Sequence, residues 1–274
     1  MRTVSVRNLV LASANLLGVC AFAWPFIVPA AVERGMGHAA DGPFIIGALL
    51  VCLGGLLFVE LGRGGMGPKT VALVGVLGAV MVALRLPGFV AGYSAMFIVV
   101  LTAGSAFGPG FGFVLGAVGT FASGLFVGGL GPWLPFQMVA VGWVGMGAGF
   151  LPHFRAWPLR LGALALYGFV AAFVFGALMN LWFWPFEAGS SAVGWAPGLG
   201  AGANLRRYGT LYLATSVWWD AYGAVGNAVA VSLLGRPVIG AMDRAARRMN
   251  FTIEPKREPT ARPAGREAPV VLDT

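Results

Sequence analysis

Apolar residues run along this chain in long blocks, at about 8 to 32, 43 to 62, 70 to 86, 92 to 107, 110 to 130, 134 to 151, 157 to 183 and 209 to 235, with Gly, Pro and charge in the breaks. A helix rises about 1.5 Å per residue and the hydrocarbon core is about 30 Å thick, so roughly 20 apolar residues cross it. Each block is at or near that length, which predicts an all-α polytopic membrane protein with about eight transmembrane helices. The fourth block is the shortest. It ends in Gly108-Pro109-Gly110, which predicts a tight turn into the fifth.

Composition agrees and charge adds direction. Of 274 residues 58% are hydrophobic and 10% charged, with a mean hydropathy of +0.82, too apolar for a water-soluble domain of this size. The formal charge of +8 does not point to nucleic acid, because Lys and Arg sit between the apolar blocks and in the C-terminal tail. With a cytoplasmic N-terminus, the inner segments hold Arg2, Arg7, Arg63, Lys69, Arg155, Arg160, Arg236 and the tail's basic residues. The outer ones hold Arg34, Arg85, Arg206 and Arg207. The positive-inside rule then predicts both termini cytoplasmic in a prokaryotic plasma membrane. Met1 to Arg7 and Ala21-Phe22-Ala23 resemble a signal peptide, but the apolar run continues to Val32, which favours a retained first helix. Pro237 to Met249, with Arg244, Arg247 and Arg248, reads as an amphipathic stretch on anionic lipid, and the chain from Glu254 as disordered.

Enzymatic chemistry finds no support. His38 and His153 fall on opposite sides of the membrane in this topology, Cys20 and Cys52 lie inside apolar blocks, and no HExxH, P-loop or serine-elbow pattern occurs. No cofactor, metal site or catalytic residue is expected, and any ATP-driven work must fall to partners.

Residues 1 to 66 read as an N-terminal transmembrane hairpin, 67 to 236 as the membrane core and 237 to 274 as a basic tail. From 70 to 151 the core is dense in small residues at helical intervals: Gly75, Ala79, Ala83; Gly108, Gly112, Gly116; Gly142, Gly145, Gly149. Such stripes let helix backbones approach closely, around a ligand or simply for packing.

The run Ala72 to Arg85, the turn at Pro87-Gly88, the run Gly108 to Gly119, and Gly131-Pro132-Trp133-Leu134-Pro135-Phe136-Gln137 leading to Gly145-Met146-Gly147-Ala148-Gly149 resemble the substrate-binding S components of energy-coupling factor (ECF) transporters. The resemblance covers about 70 to 236 and leaves the first two helices extra to a six-helix core. It implies a substrate-specific subunit that binds a vitamin-like solute on the outer side and topples in the membrane to release it. The partners implied are a transmembrane T component and two cytoplasmic ATPase subunits. It also implies a partner interface at Ala79 and Ala83, with Gly75 one turn earlier, although these fall in the outer half of their helix, deeper than such an interface would ideally lie.

Polar groups inside apolar blocks are costly and mark candidate sites. Helical spacing aligns Tyr212, Ser216, Asp220, Gly223 and Asn227 on one side of the eighth helix. Asp220 is read as a ligand contact, an internal ion pair, a hydrogen bond to a neighbouring helix or a proton relay. Arg85 either snorkels to the interface or binds solute, and a pair with Asp220 would neutralise both. The segment from 182 to 208 holds Trp182, Trp184, Glu187 and Trp195, with Asn180 just before it and Trp133 and Gln137 at the mouth of the sixth helix. These groups suit a pocket for an aromatic or macrocyclic ligand, cobalamin or a precursor, though Trp and Tyr also gather in interfacial belts. The alternatives to an importer subunit are a proton-coupled secondary transporter working through Asp220 and a membrane scaffold that binds no solute.

Overall fold

A computed structural model describes residues 6–27, 42–62, 68–86, 88, 93–187, 192–196 and 198–250. Within them the regular structure is helical: α1 (Val6–Ile27), α2 (Gly42–Gly62), α3 (Pro68–Arg85), α4 (Met96–Phe107), α5 (Pro109–Ser123), α6 (Leu134–Gly149), α7 (Trp157–Leu181), the short α8 (Trp184–Glu187), α9 (Gly200–Thr215) and α10 (Val217–Asn250). A π-helical turn, Gly124–Gly128, extends α5.

Contacts between helix ends fix an up-and-down order. Arg85, closing α3, meets Ser123, closing α5, and Gln137 in the first turn of α6. Phe22 near the end of α1 and Trp182 just after α7 both meet Phe136. At the opposite end Arg160, early in α7, meets Asp243, late in α10. A helix thus stands at each of the eight expected positions. Three continuous helical stretches among the described residues, Pro109–Gly128, Trp157–Phe186 and Val217–Arg248, are long and apolar enough to cross a bilayer. Leu9–Ala23, Gly42–Cys52 and Met96–Phe107 are apolar but shorter. Length and composition therefore support an integral membrane protein but do not establish eight crossings.

The core lies where α4, α5 and α6 meet through bare backbone. A Cβ added at Gly104 or Gly112 would fall on the carbonyl of Gly145, and one at Gly116 would stand 2.8 Å from the Gly142 Cα. Gly149 packs in the same way on Gly108 and Pro109. With no hydrophobic drive between helices in lipid, such close approach gains dispersion contact instead. The α4–α5 turn is made by Gly108, whose φ of 92° places it where side chains are strained.

The N-terminal pair is docked on α6. Gly18 makes room for Val139 and Trp143, and the Trp143 indole donates to Asn15 Oδ1 at 2.6 Å. Gly42, opening α2, lies against Pro132.

Two boundaries differ from expectation. The eighth helix begins earlier, as α9, and backbone bonds from Ser216 to Tyr212 and from Asp220 to Ser216 carry it across the break at Ser216. It also runs through Pro237 instead of ending near 236. An internal proline removes one backbone bond, at about 3 kcal/mol, but Ile239 and Met242 are buried beyond it. Arg160 then clamps Asp243 with two bonds, at 2.6 and 3.0 Å, so tertiary contacts override the local breaker. The expectation of disorder from Glu254 lies outside the described residues.

Candidate functional site

The guanidinium of Arg85 is engaged by other helices of the bundle. It reaches across two neighbouring helices, donating from Nη1 to Ser123 Oγ at 2.5 Å and from Nη2 to Gln137 Oε1 at 3.0 Å. Ser123 is fully buried and gives its own proton to the Thr120 carbonyl at 2.8 Å, which turns an oxygen lone pair toward Arg85. The π turn completes the seat: a Cβ on Gly128 would come within 3.1 Å of Nη2. Such single-turn bulges recur at functional sites because they re-aim a helix end. Both acceptors are neutral, and no carboxylate among the described residues pairs with Arg85. Arg85 and Asp220 therefore do not pair.

Asp220 belongs to a separate network facing α7. Tyr212 donates to Asp220 Oδ2 at 2.6 Å, and the same hydroxyl lies 3.3 Å from the Phe173 carbonyl. The Asp220 carboxylate sits where a side chain on Gly176 would be. Ser216 donates to Asn180 Oδ1 at 3.0 Å, and Asn180 Nδ2 to the Gly176 carbonyl at 2.9 Å. Farther along, buried Asn227 donates to the Gly168 carbonyl at 3.0 Å. The polar side read from helical spacing is thus a seam binding α9 and α10 to α7. Asn227, roughly 10 Å along the helix from Asp220 at 1.5 Å per residue, joins the seam away from the end that carries Arg85.

Trp184 and Trp195 do not stand open, whereas Trp218 and Trp219 on α10 do. Trp184 is fully buried, donates to the Val193 carbonyl at 3.0 Å, and lies between Phe26 of α1 and Tyr208 of α9, at ring separations of 6.2 and 5.3 Å. Trp182 stacks on Phe136 at 5.8 Å. Trp195 is 5% exposed, and its indole N–H has no partner among the described residues. Asn204 bonds both the N–H and the carbonyl of Ala196 at 2.9 Å, tying this segment to α9. Trp133 folds over Gly131 and packs against the core. The side chain of Glu187 lies outside the described residues.

Several buried hydrogen-bonding groups are absent from the sequence reading, and one of them, Tyr93, lays its ring on Gly226 of α10. Tyr93 and Ser94, just before α4, and Thr120, one turn from Ser123, carry hydroxyls without a partner among the described residues. Tyr93 and Ser94 lie in the first residues of the short, weak fourth block and Thr120 sits inside an apolar one, so spacing gave no signal for them. Ser123 is likewise an ordinary small residue until the π turn is known.

On α3 the two faces separate. Val74, Gly78 and Met81 are buried toward α5, while Gly75, Ala79 and Ala83 are exposed, with open space above Gly75. A further apolar groove of about 140 Å³ lies between α6 and α7, lined by Trp143, Tyr167 and Phe175 among others, and shares no residue with the Arg85 group.

Comparison with known proteins gives one match. The family model described as "ECF transporter, substrate-specific component" matches residues 69–235, more than half of the chain, from the second residue of α3 into α10. No curated protein and no solved structure matches.

Proposed function

We propose that this chain, which belongs to the family of ECF transporter substrate-specific components, captures a vitamin-like solute at the Arg85 end of its bundle and on the outer side of the plasma membrane. The observation that carries the reading is the coincidence of the family match with a bundle end where Arg85 is held by Ser123 and Gln137 with no carboxylate partner among the described residues, and where Thr120, one turn from Ser123, keeps an unpartnered buried hydroxyl. A buried polar group without a partner costs about 1–3 kcal/mol, and a bound solute would recover that. Charge supports the orientation. Lys69, Arg155, Arg160 and Arg236 fall toward the other end, which the positive-inside rule makes cytoplasmic.

The solute passes to a transmembrane T component and two ATPase subunits, which supply the energy. The exposed stripe of Gly75, Ala79 and Ala83 is the face for the T component, since α3 buries its opposite side and leaves this one without side-chain bulk. A cobalamin or a precursor was the solute favoured by the Trp-rich segment. The burial of Trp184 and Trp195 weakens that support, and the Trp184 ring already meets Phe26 and Tyr208. Asp220 serves as the joint of α10 to α7, held by Tyr212.

The test is copurification. The full chain, expressed with T component and ATPases, carries a solute that mass spectrometry identifies, and uptake of that solute stops when the ATPases are removed. Uptake that survived without them but failed in Asp220→Asn would establish the proton-coupled alternative instead.

A further inference from the structure

Arg85 carries a charge that the described fold does not neutralise. Its two partners are a hydroxyl and a carboxamide oxygen, which leave the cation whole and occupy two of the five guanidinium N–H groups. An arginine kept in a membrane protein without a counter-ion is expensive, by about 2.5–3.5 kcal/mol at mid-helix on insertion scales and less toward the ends. The usual relief is to snorkel outward. Here the side chain instead bonds fully buried Ser123 and Gln137 where α3, α5 and α6 meet, and Gly128 leaves the space for it. Ser123 and Gln137 fix the plane of the fork. The remaining N–H groups lie in that plane, an arrangement that matches the two oxygens of a carboxylate.

Resting on the proposed function, we infer that the imported solute carries a carboxylate, and that Arg85 is its counter-ion, oriented by Ser123 and Gln137. Thr120, with its free buried hydroxyl one turn along α5, offers a further hydrogen bond close by. The bound anion supplies the negative charge that no described residue gives Arg85, so solute binding and the stability of the α3–α5–α6 end are linked.

The experiment uses the full chain in nanodiscs and two sets of probes. The first carries carboxylates: biotin, pantothenate, nicotinate and folate. The second lacks a free carboxylate: thiamine, riboflavin, nicotinamide and cyanocobalamin. The expected result is a raised unfolding temperature with a member of the first set. Affinity for that member should fall at least tenfold in Arg85→Gln and less in Arg85→Lys, which keeps the charge without the fork. Stabilisation by the second set alone overturns the carboxylate inference and leaves the importer reading standing. Stabilisation by neither set counts against both. Equal affinity in Arg85→Gln and the unaltered chain overturns the inference directly. So does stabilisation that tracks the phosphatidylglycerol content of the disc and vanishes in Arg85→Gln, since the anion would then be a lipid headgroup.

Discussion

Tyr212 hydrogen-bonds Asp220 at 2.6 Å across the junction at Ser216, so a side-chain bond reinforces the two backbone bonds that carry α9 into α10. The carboxylate gains a donor from one segment and a bed of bare backbone, at Gly176, from the neighbouring helix.

Removing that donor should be felt as lost stability. Tyr212→Phe leaves the half-buried carboxylate without its hydroxyl and should destabilise the protein by about 1–3 kcal/mol in detergent unfolding. Asp220→Asn, which can still accept through its amide oxygen, should lose less. Equal stability of Tyr212→Phe and the unaltered chain would show that the bond contributes nothing.

Gly176 provides a sharper test because its role depends on Asp220. Gly176→Ala should be destabilising, since the new methyl meets the carboxylate. In an Asp220→Ala background the same change should be neutral, or stabilising by about 0.5–1 kcal/mol, the ordinary gain of alanine over glycine in a helix. The double-mutant cycle reads the coupling between them; additivity would separate the two residues.

Ala79→Leu with Ala83→Leu should leave the unfolding temperature of the isolated chain within a degree or two, because both positions are exposed. Copurification with the T component should be lost. The reverse pattern, instability with association intact, would show that the face packs within the chain.

At the other end, Arg160 and Asp243 are only 13% and 20% exposed, so their bridge is shielded more than a surface pair. Arg160→Ala should speed amide hydrogen exchange across 237–248, where Pro237 has already weakened the ladder, and leave α5 and α6 unchanged. Salt at 1 M should do little in the unaltered chain if the pair is as shielded as its exposure implies.

The helices were legible because lipid imposes one length and one composition on every crossing segment. The glycine stripes at Gly112 and Gly145 were legible for a related reason: close backbone approach leaves a spacing of three or four residues, and here both stripes meet. The polar side of the last helix was visible as well, but not which helix it would face. What one sequence does not encode locally is the pairing. Ser123 joins Arg85 only because α3 and α5 end side by side, and Trp184 closes a cluster only because Phe26 arrives from a helix more than 150 residues earlier. Pro237 misled for the opposite reason, since the residues that override it, Ile239, Met242 and Arg160, act through space.

The bond from Trp143 to Asn15, together with the Phe26–Trp184 stack, ties the first helix to two separate points inside the matched region. If the subunit turns over in the bilayer, the rotating object includes this hairpin. More lipid must then be displaced around a wider perimeter, and the hairpin's far side rather than α6 sets the line along which the membrane reseals.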